Sequence, residues 1–122
     1  MQIKRQVKIV ILDEGLNKVR DLINTNLTLG QCGTGISTAT PEDTGLDEAV
    51  GATSTTLTNN VSDKLLTASF TLPTTNGNGL SFTEFENQFL TGETLARIRH
   101  TALSKDNTKE LQYIVTYSLE GD

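Results

Sequence analysis

The sequence predicts a mainly β protein: an antiparallel β-sandwich, jelly-roll-like, carrying one short N-terminal helix. Three observations predict it. Leu66, Ala68, Phe70 and Leu72 alternate with Leu65, Thr67, Ser69 and Thr71, and Leu111, Tyr113, Val115, Tyr117 and Leu119 alternate with the residues between them. That is the period of a strand with one buried face. Threonine supplies 20 of the 122 residues, and its Cβ branch suits a half-exposed pleated surface better than a helix. One segment alone, near the N-terminus, repeats apolar residues at clear helical spacing.

Taken in order, Gln2–Leu12 alternates, with Ile3, Val7, Ile9 and Ile11 on one side and Gln2, Lys4, Gln6 and Lys8 on the other, and reads as a half-buried strand. Asp13 suits an N-cap, and Asp13 and Glu14 suit the positive end of a helix dipole. Leu16, Val19, Leu22 and Ile23 then form the apolar stripe of a helix over about Asp13 to Asn24. Leu27 and Leu29 are expected to start a brief strand that Gly30, Gly33 and Gly35 break. Pro41 opens a turn, and Glu42–Val50 has room for one helical turn. Thr53–Val61 is polar and β-prone, a plausible strand.

Leu65–Leu72 is the clearest strand, ended by Pro73, which has no N–H to give a ladder. "TTNGNG", Thr74–Gly79, supplies Asn-Gly pairs of the kind tight hairpin turns use, and Leu80 and Phe82 resume the alternation. Leu65–Glu86 therefore reads as a β-hairpin. After a turn at Gly92, Leu95–Leu103 is a strand with Ala96, Ile98 and His100 on one face and Arg97 and Arg99 on the other. "SKDNTKE" turns the chain into the last strand. Helix first, then at least four strands in meander order, is the pattern of an antiparallel sandwich. The expected organisation is one domain over 1–122, with an irregular arm or loop at about 30–60. With no Trp and 5% aromatic residues, the expected core is aliphatic.

Charge excludes some functions. The net charge is −5, and no Lys or Arg occurs from Asp21 to Asp63. A nucleic-acid reader needs several cations against phosphates, so no nucleic-acid partner is expected. The apolar run before Asp13 is too short for a signal-peptide core or a membrane span, so a soluble protein made in the cytoplasm is expected. Cys32 is the single cysteine, so no intramolecular disulfide is possible.

Candidate chemistry is thin. Gly33 and Gly35 make a GxG, but no Gly-Lys-Ser/Thr follows and acids come next, so a phosphate cradle does not fit; a close-packed turn does. Glu42, Asp43, Asp47 and Glu48 are dense enough to suggest Ca²⁺, yet lack the EF-hand spacing and read as a solvated acidic loop. His100 is the single histidine and, with no G-x-S-x-G elbow, reads as a partly buried strand residue rather than a base. Cys32 has no adjacent cation to activate it and reads as a small packing residue. Glu84 and Glu86 share a strand face and raise a paired-carboxylate reading, but no aromatic platform accompanies them. One Cys and one His make a poor zinc site. No catalytic, cofactor-binding or metal residue is assigned.

The order of the segments adds a resemblance. "LDEGLNKVRDLINT", "CGTGISTATPEDTGLDEAVG", "DKLLTASFTL", "LSFTEFENQFLTGETLARIRHTAL" and "KDNTKELQYIVTYSLEG" follow one another in a way that resembles small structural or tail-fibre-like virion proteins of tailed bacteriophages. In that group a short helix precedes a Gly/Thr-rich stretch, two strands, a "G..LAR" segment and a final alternating strand. The resemblance spans about Asp13 to Leu119. It implies a β-sandwich and an assembly role in the tail, neck, baseplate or fibre-attachment region, with no enzymatic activity and no cofactor. Capsid decoration, and glycan binding by a fibre module through Asn76–Gly79, are the alternatives. The implied setting is a virion assembled in the host cytoplasm. The implied partners are neighbouring virion proteins and the chain's own copies, as a trimer or higher ring.

Overall fold

The computed structural model describes residues 10–119. Most of the expected Gln2–Leu12 strand lies outside them, and residues 10–12 are outside any strand and exposed. Helix α1 runs Asp13–Asn26. It is followed by β1 (Leu27–Gly33), β2 (Thr55–Thr56), β3 (Thr58–Ser62), β4 (Leu65–Leu72), β5 (Leu80–Phe89), β6 (Thr94–Lys105) and β7 (Leu111–Ser118). They form two antiparallel sheets, ordered β2-β1-β5-β6 and β3-β4-β7. The expected mainly β fold, a sandwich with one N-terminal helix, is the fold observed.

The helix differs in detail. Leu12 occupies the cap position without a side-chain hydrogen bond, so Asp13 is the first helical residue and not the cap. Its carboxylate lies 3.1 Å from Lys64 Nζ instead. Leu16 is buried and Ile23 packs on the core, whereas Val19 and Leu22 face solvent. The buried stripe is thus half of the one expected. α1 lies against β1, β3 and β4, bridging the two sheets.

The strand order is not a meander. The expected Leu65–Glu86 hairpin does not form: β4 pairs with β3 and β7, while β5 pairs with β1 and β6. Residues 73–79 carry the chain from one sheet to the other. Gly77 and Gly79 do take the positive φ that the Asn-Gly pairs suggested, +74° and +84°, but in a crossing link. A Cβ on Gly77 would lie 2.8 Å from Leu72 and 2.9 Å from Phe82, so the link is packed against the sandwich. The hairpins that do form are β3–β4, turning at Asp63-Lys64, and β5–β6, turning at Gly92.

Two of the expected strands form with different bounds. β1 runs on through Gly30, because a Cβ there would stand 2.5 Å from Phe70 Cδ2 and 3.0 Å from Phe85 Cζ. Glycine lets the sheets approach at that point. Thr55–Ser62 is split at Leu57, whose N–H donates to Thr28 O at 2.8 Å, so β2 joins one sheet and β3 the other. The irregular segment therefore narrows to residues 34–54, with a single 3-10 turn at Gly51–Thr53 and no helix within Glu42–Val50.

The core is aromatic at its centre, not aliphatic. Phe85 stacks on Tyr113 with ring centroids 4.1 Å apart, and Phe70 meets Phe85 edge-on at 4.9 Å. Leu27, Leu57, Leu66, Ala68, Leu72 and Phe82 fill in around them, and Cys32 is buried among them as a packing residue.

Candidate functional site

β5 carries the buried polar residues. Phe82, Phe85 and Asn87 face the other sheet, while Thr83, Glu84 and Glu86 face outward. Strict alternation cannot place both Phe82 and Phe85 inside. A register shift between Phe82 and Glu84 does it: the step from Phe82 to Glu84 on β5 spans Leu103 to Arg99 on β6, and β5 exchanges faces there. The outward carboxylates then lie beneath the loop of residues 34–50.

Glu84 is fully buried. Its Oε2 accepts from the amides of Gly35 at 2.7 Å and Glu48 at 2.8 Å, and its Oε1 from the amide of Asp47 at 2.9 Å. Arg97 Nε donates to the same Oε1 at 3.0 Å. Arg97 NH1 donates to Asp43 Oδ2 at 2.9 Å, and NH2 to the carbonyl of Ser37 at 2.9 Å. One carboxylate and one guanidinium thereby hold both limbs of the loop. Thr83 adds a hydroxyl bond to Gly35 O. The glycines are part of this clasp: a Cβ at Gly33 or Gly35 would fall 2.5 Å or 2.4 Å from Glu84 Oε2. The close packing read from the GxG forms, but not as a turn: Gly33 ends β1, and the Thr34 amide donates to Glu48 O at 2.9 Å.

Burial works to raise the pKa of Glu84, but the amides of Glu48, Asp47 and Gly35 and the Arg97 side chain outweigh it and hold the carboxyl below its usual range. Asp43 is also held low, first by the Thr40 amide and then by the Thr40 hydroxyl and Arg97.

Glu84 and Glu86 do share a face, but not as a free pair. Glu86 accepts from Thr94 Oγ1 at 2.9 Å and from Gln88 Nε2 at 2.6 Å, and it is also buried. An open depression of about 360 Å³ beside them is lined by Thr40, Pro41, Asp43, Gly45, Thr94 and Arg97. The charged groups in that wall are already bonded to one another.

The acidic residues of the loop have separate tasks. Asp43 binds Arg97, and Glu48 accepts from Thr34 Oγ1 at 3.2 Å. No group of three or more metal-ligating side chains comes together among the described residues. His100 stands on β6, its Nε2 2.6 Å from the Tyr113 hydroxyl and its Nδ1 2.8 Å from the carbonyl of Thr101. A carbonyl only accepts, so Nδ1 donates there and Nε2 is left to accept from Tyr113. Burial raises the Tyr113 hydroxyl above its ordinary range. Cys32 is pushed up to about 12, by burial against a smaller opposing effect of Thr53.

Sequence reasoning noticed Glu84, the acidic stretch and the glycines separately. It missed Arg97 as the residue joining them. The signal was cross-strand but incomplete: Glu84 and Glu86 fall opposite Arg99 and Arg97, and a register shift between Asn87 and Gln88 keeps a simple count from the Gly92 turn from giving that pairing.

The fold and site together define a small antiparallel sandwich with one loop clasped by a buried ion pair. Compared with known proteins, the chain matches no family model, no curated protein and no solved structure.

Proposed function

We propose that the chain is a structural component of a tailed-bacteriophage virion. It is assembled in the host cytoplasm and held in the tail, neck, baseplate or fibre-attachment region by contacts with its own copies and with neighbouring virion proteins. The observation that carries this reading is how the resembling segments are used. The helix, the Gly/Thr-rich stretch, the two central strands and the final strand are the parts that build the sandwich and its clasp. The most reactive groups in them, Glu84 and Arg97, are spent on fixing a loop. A rigid module with a built-in fixed loop suits repeated protein–protein contact.

The glycan-binding alternative has less support at the link proposed for it. Asn76 Nδ2 donates to Ala52 O at 2.9 Å, and Asn78 accepts from Lys105 Nζ at 2.7 Å, so the amides that would meet a sugar are engaged.

The test is an antibody against the chain, applied to phage particles purified from cells that carry its gene, together with mass spectrometry of those particles. The expected result is stoichiometric presence at one fixed place on the particle. Recovery only from the soluble lysate would refute the reading.

A further inference from the structure

The two sheets end in edges of different kind. β6 closes the four-stranded sheet and carries the exposed Arg99 beside His100. Charge on an edge strand discourages pairing with another chain. β7 closes the three-stranded sheet and has none of these guards. Its eight residues, LQYIVTYS, include no charge, proline or glycine, and its pairing with β4 runs without a register shift. Among the described residues no strand pairs with its outer side.

The outer face that β7 shares with β3 and β4 is uncharged as well. The rows Asn60–Thr67–Thr116 and Thr58–Ser69–Ile114 cross its centre. Ile114 is 65% exposed there, a large apolar side chain in a field of small polar ones. The chain as a whole carries −5, with acids at the start of α1 and in the clasped loop. Two copies meeting through those parts set like charge against like; through β7 they do not.

We propose that β7 is a docking edge for a second copy of this chain. Two β7 strands pair antiparallel about a two-fold axis at Ile114 and join two three-stranded sheets into one of six strands. This inference deepens the assembly reading above by naming its surface and partner, and rests on that reading for its biological setting. Residues directly opposite in an antiparallel pair share a face, so the axis passes through a residue. Ile114 meets Ile114 of the second copy, Tyr113 meets Val115, Gln112 meets Thr116, and Glu110 falls opposite Ser118, with no like charges opposed. Edge pairing over so short a strand covers less than the roughly 800 Å² per partner of a standard interface. The contact is weak in isolation and strengthens where many copies are held together. Being isologous, it makes pairs or joins rings, and does not close a ring.

Sedimentation velocity on the intact chain, from micromolar to near-millimolar concentration, tests this. The expected result is a monomer passing to a dimer. Ile114→Lys and Thr116→Lys, both at exposed side chains, stay monomeric at the highest concentration with unchanged thermal unfolding. Ile114→Cys, oxidised in the folded state, gives a disulfide-linked dimer, because residues on the axis come within disulfide reach. Gln112→Cys does not. Buried Cys32 does not compete. If a Lys variant fails to fold, the cysteine pair decides. A wild-type chain that is monomeric throughout, or Lys variants that dimerise as the wild type does, overturn the proposal. A monomeric chain found in phage particles overturns the edge and leaves the virion reading standing; a β7 dimer absent from particles does the reverse.

Discussion

Glu84 on β5 and Arg97 on β6 meet at 2.9 Å with side chains 0% and 4% exposed, and the pair holds a loop that belongs to neither strand. Strand register sets Arg97 opposite Glu86 and Glu84 opposite Arg99. The contact is therefore diagonal, and Arg99 is left at the surface. What draws Arg97 across is the rest of its coordination: Asp43 and Ser37 lie over Glu84, so the guanidinium there fills a position where three nitrogens find acceptors.

Removing one partner strands the other in a buried site. Glu84→Ala is expected to cost about 3–5 kcal/mol in urea unfolding. It also removes the acceptor for three loop amides. Hydrogen exchange checks this locally: Gly35, Asp47 and Glu48 lose protection first, while the amides of β4 and β7 follow global stability. A Glu84→Met/Arg97→Met chain recovers part of the loss, because no uncompensated charge remains. Equal instability in single and double variants would contradict the clasp.

The same pair sets an acid dependence. Glu84 titrates below its ordinary 4.5 in the folded chain. Between the two values the unfolded chain binds more protons, so stability rises with pH there. The contribution is complete above the unfolded value and is lost as pH falls through the folded one. Denaturant midpoints measured from neutral pH into the acid range are expected to fall for the wild type and to fall less steeply for Glu84→Gln. The residual slope includes Asp43, Glu93 and Asp106, which are also held low.

Gly30 stands where Phe70 of the opposite sheet packs directly on β1. Gly30→Ala places a methyl 2.5 Å from Phe70 Cδ2 and is expected to cost about 1–3 kcal/mol by overpacking. Phe70→Leu in the same chain removes the clashing ring edge and recovers part of that cost, seen as an unfolding midpoint above that of Gly30→Ala alone. No recovery would mean that strand conformation, rather than contact with Phe70, makes the glycine necessary.

Cys32 offers a readout of unfolding. With its thiol pushed up to about 12 and no exposure, its reaction with a thiol reagent at pH 8 is expected to be on the order of 10³-fold slower than in the denatured chain. The observed rate tracks opening of the sandwich and rises in Glu84→Ala. Rapid labelling of the native chain would overturn the packing role of this residue.

Local patterns served the strands and the helix better than the caps and turns: Asp13 is not the cap, and the Asn-Gly pairs close no hairpin. β4 and β7 were legible because period-2 alternation survives in any sheet that buries one face. α1 was legible from its spacing, although its exposed Val19 and Leu22 show that spacing marks a face without saying how much of it is covered. The β3–β4 turn at Asp63-Lys64 was overlooked beside the louder Asn-Gly pairs, which proved to sit in a crossing link. The register shift between Phe82 and Glu84 leaves no compositional trace. It nonetheless turns both carboxylates from the presumed core face to the clasp.

The sequence by itself determined the fold class, the main strands and the helix, because each depends on neighbours along the chain. Tertiary structure alone decided which strands pair, why Gly30 must lack a side chain, and that Glu84, Arg97 and Asp43 form one unit. Those outcomes depend on atoms tens of residues apart competing for the same space and the same hydrogen bonds, and no local pattern encodes the winner.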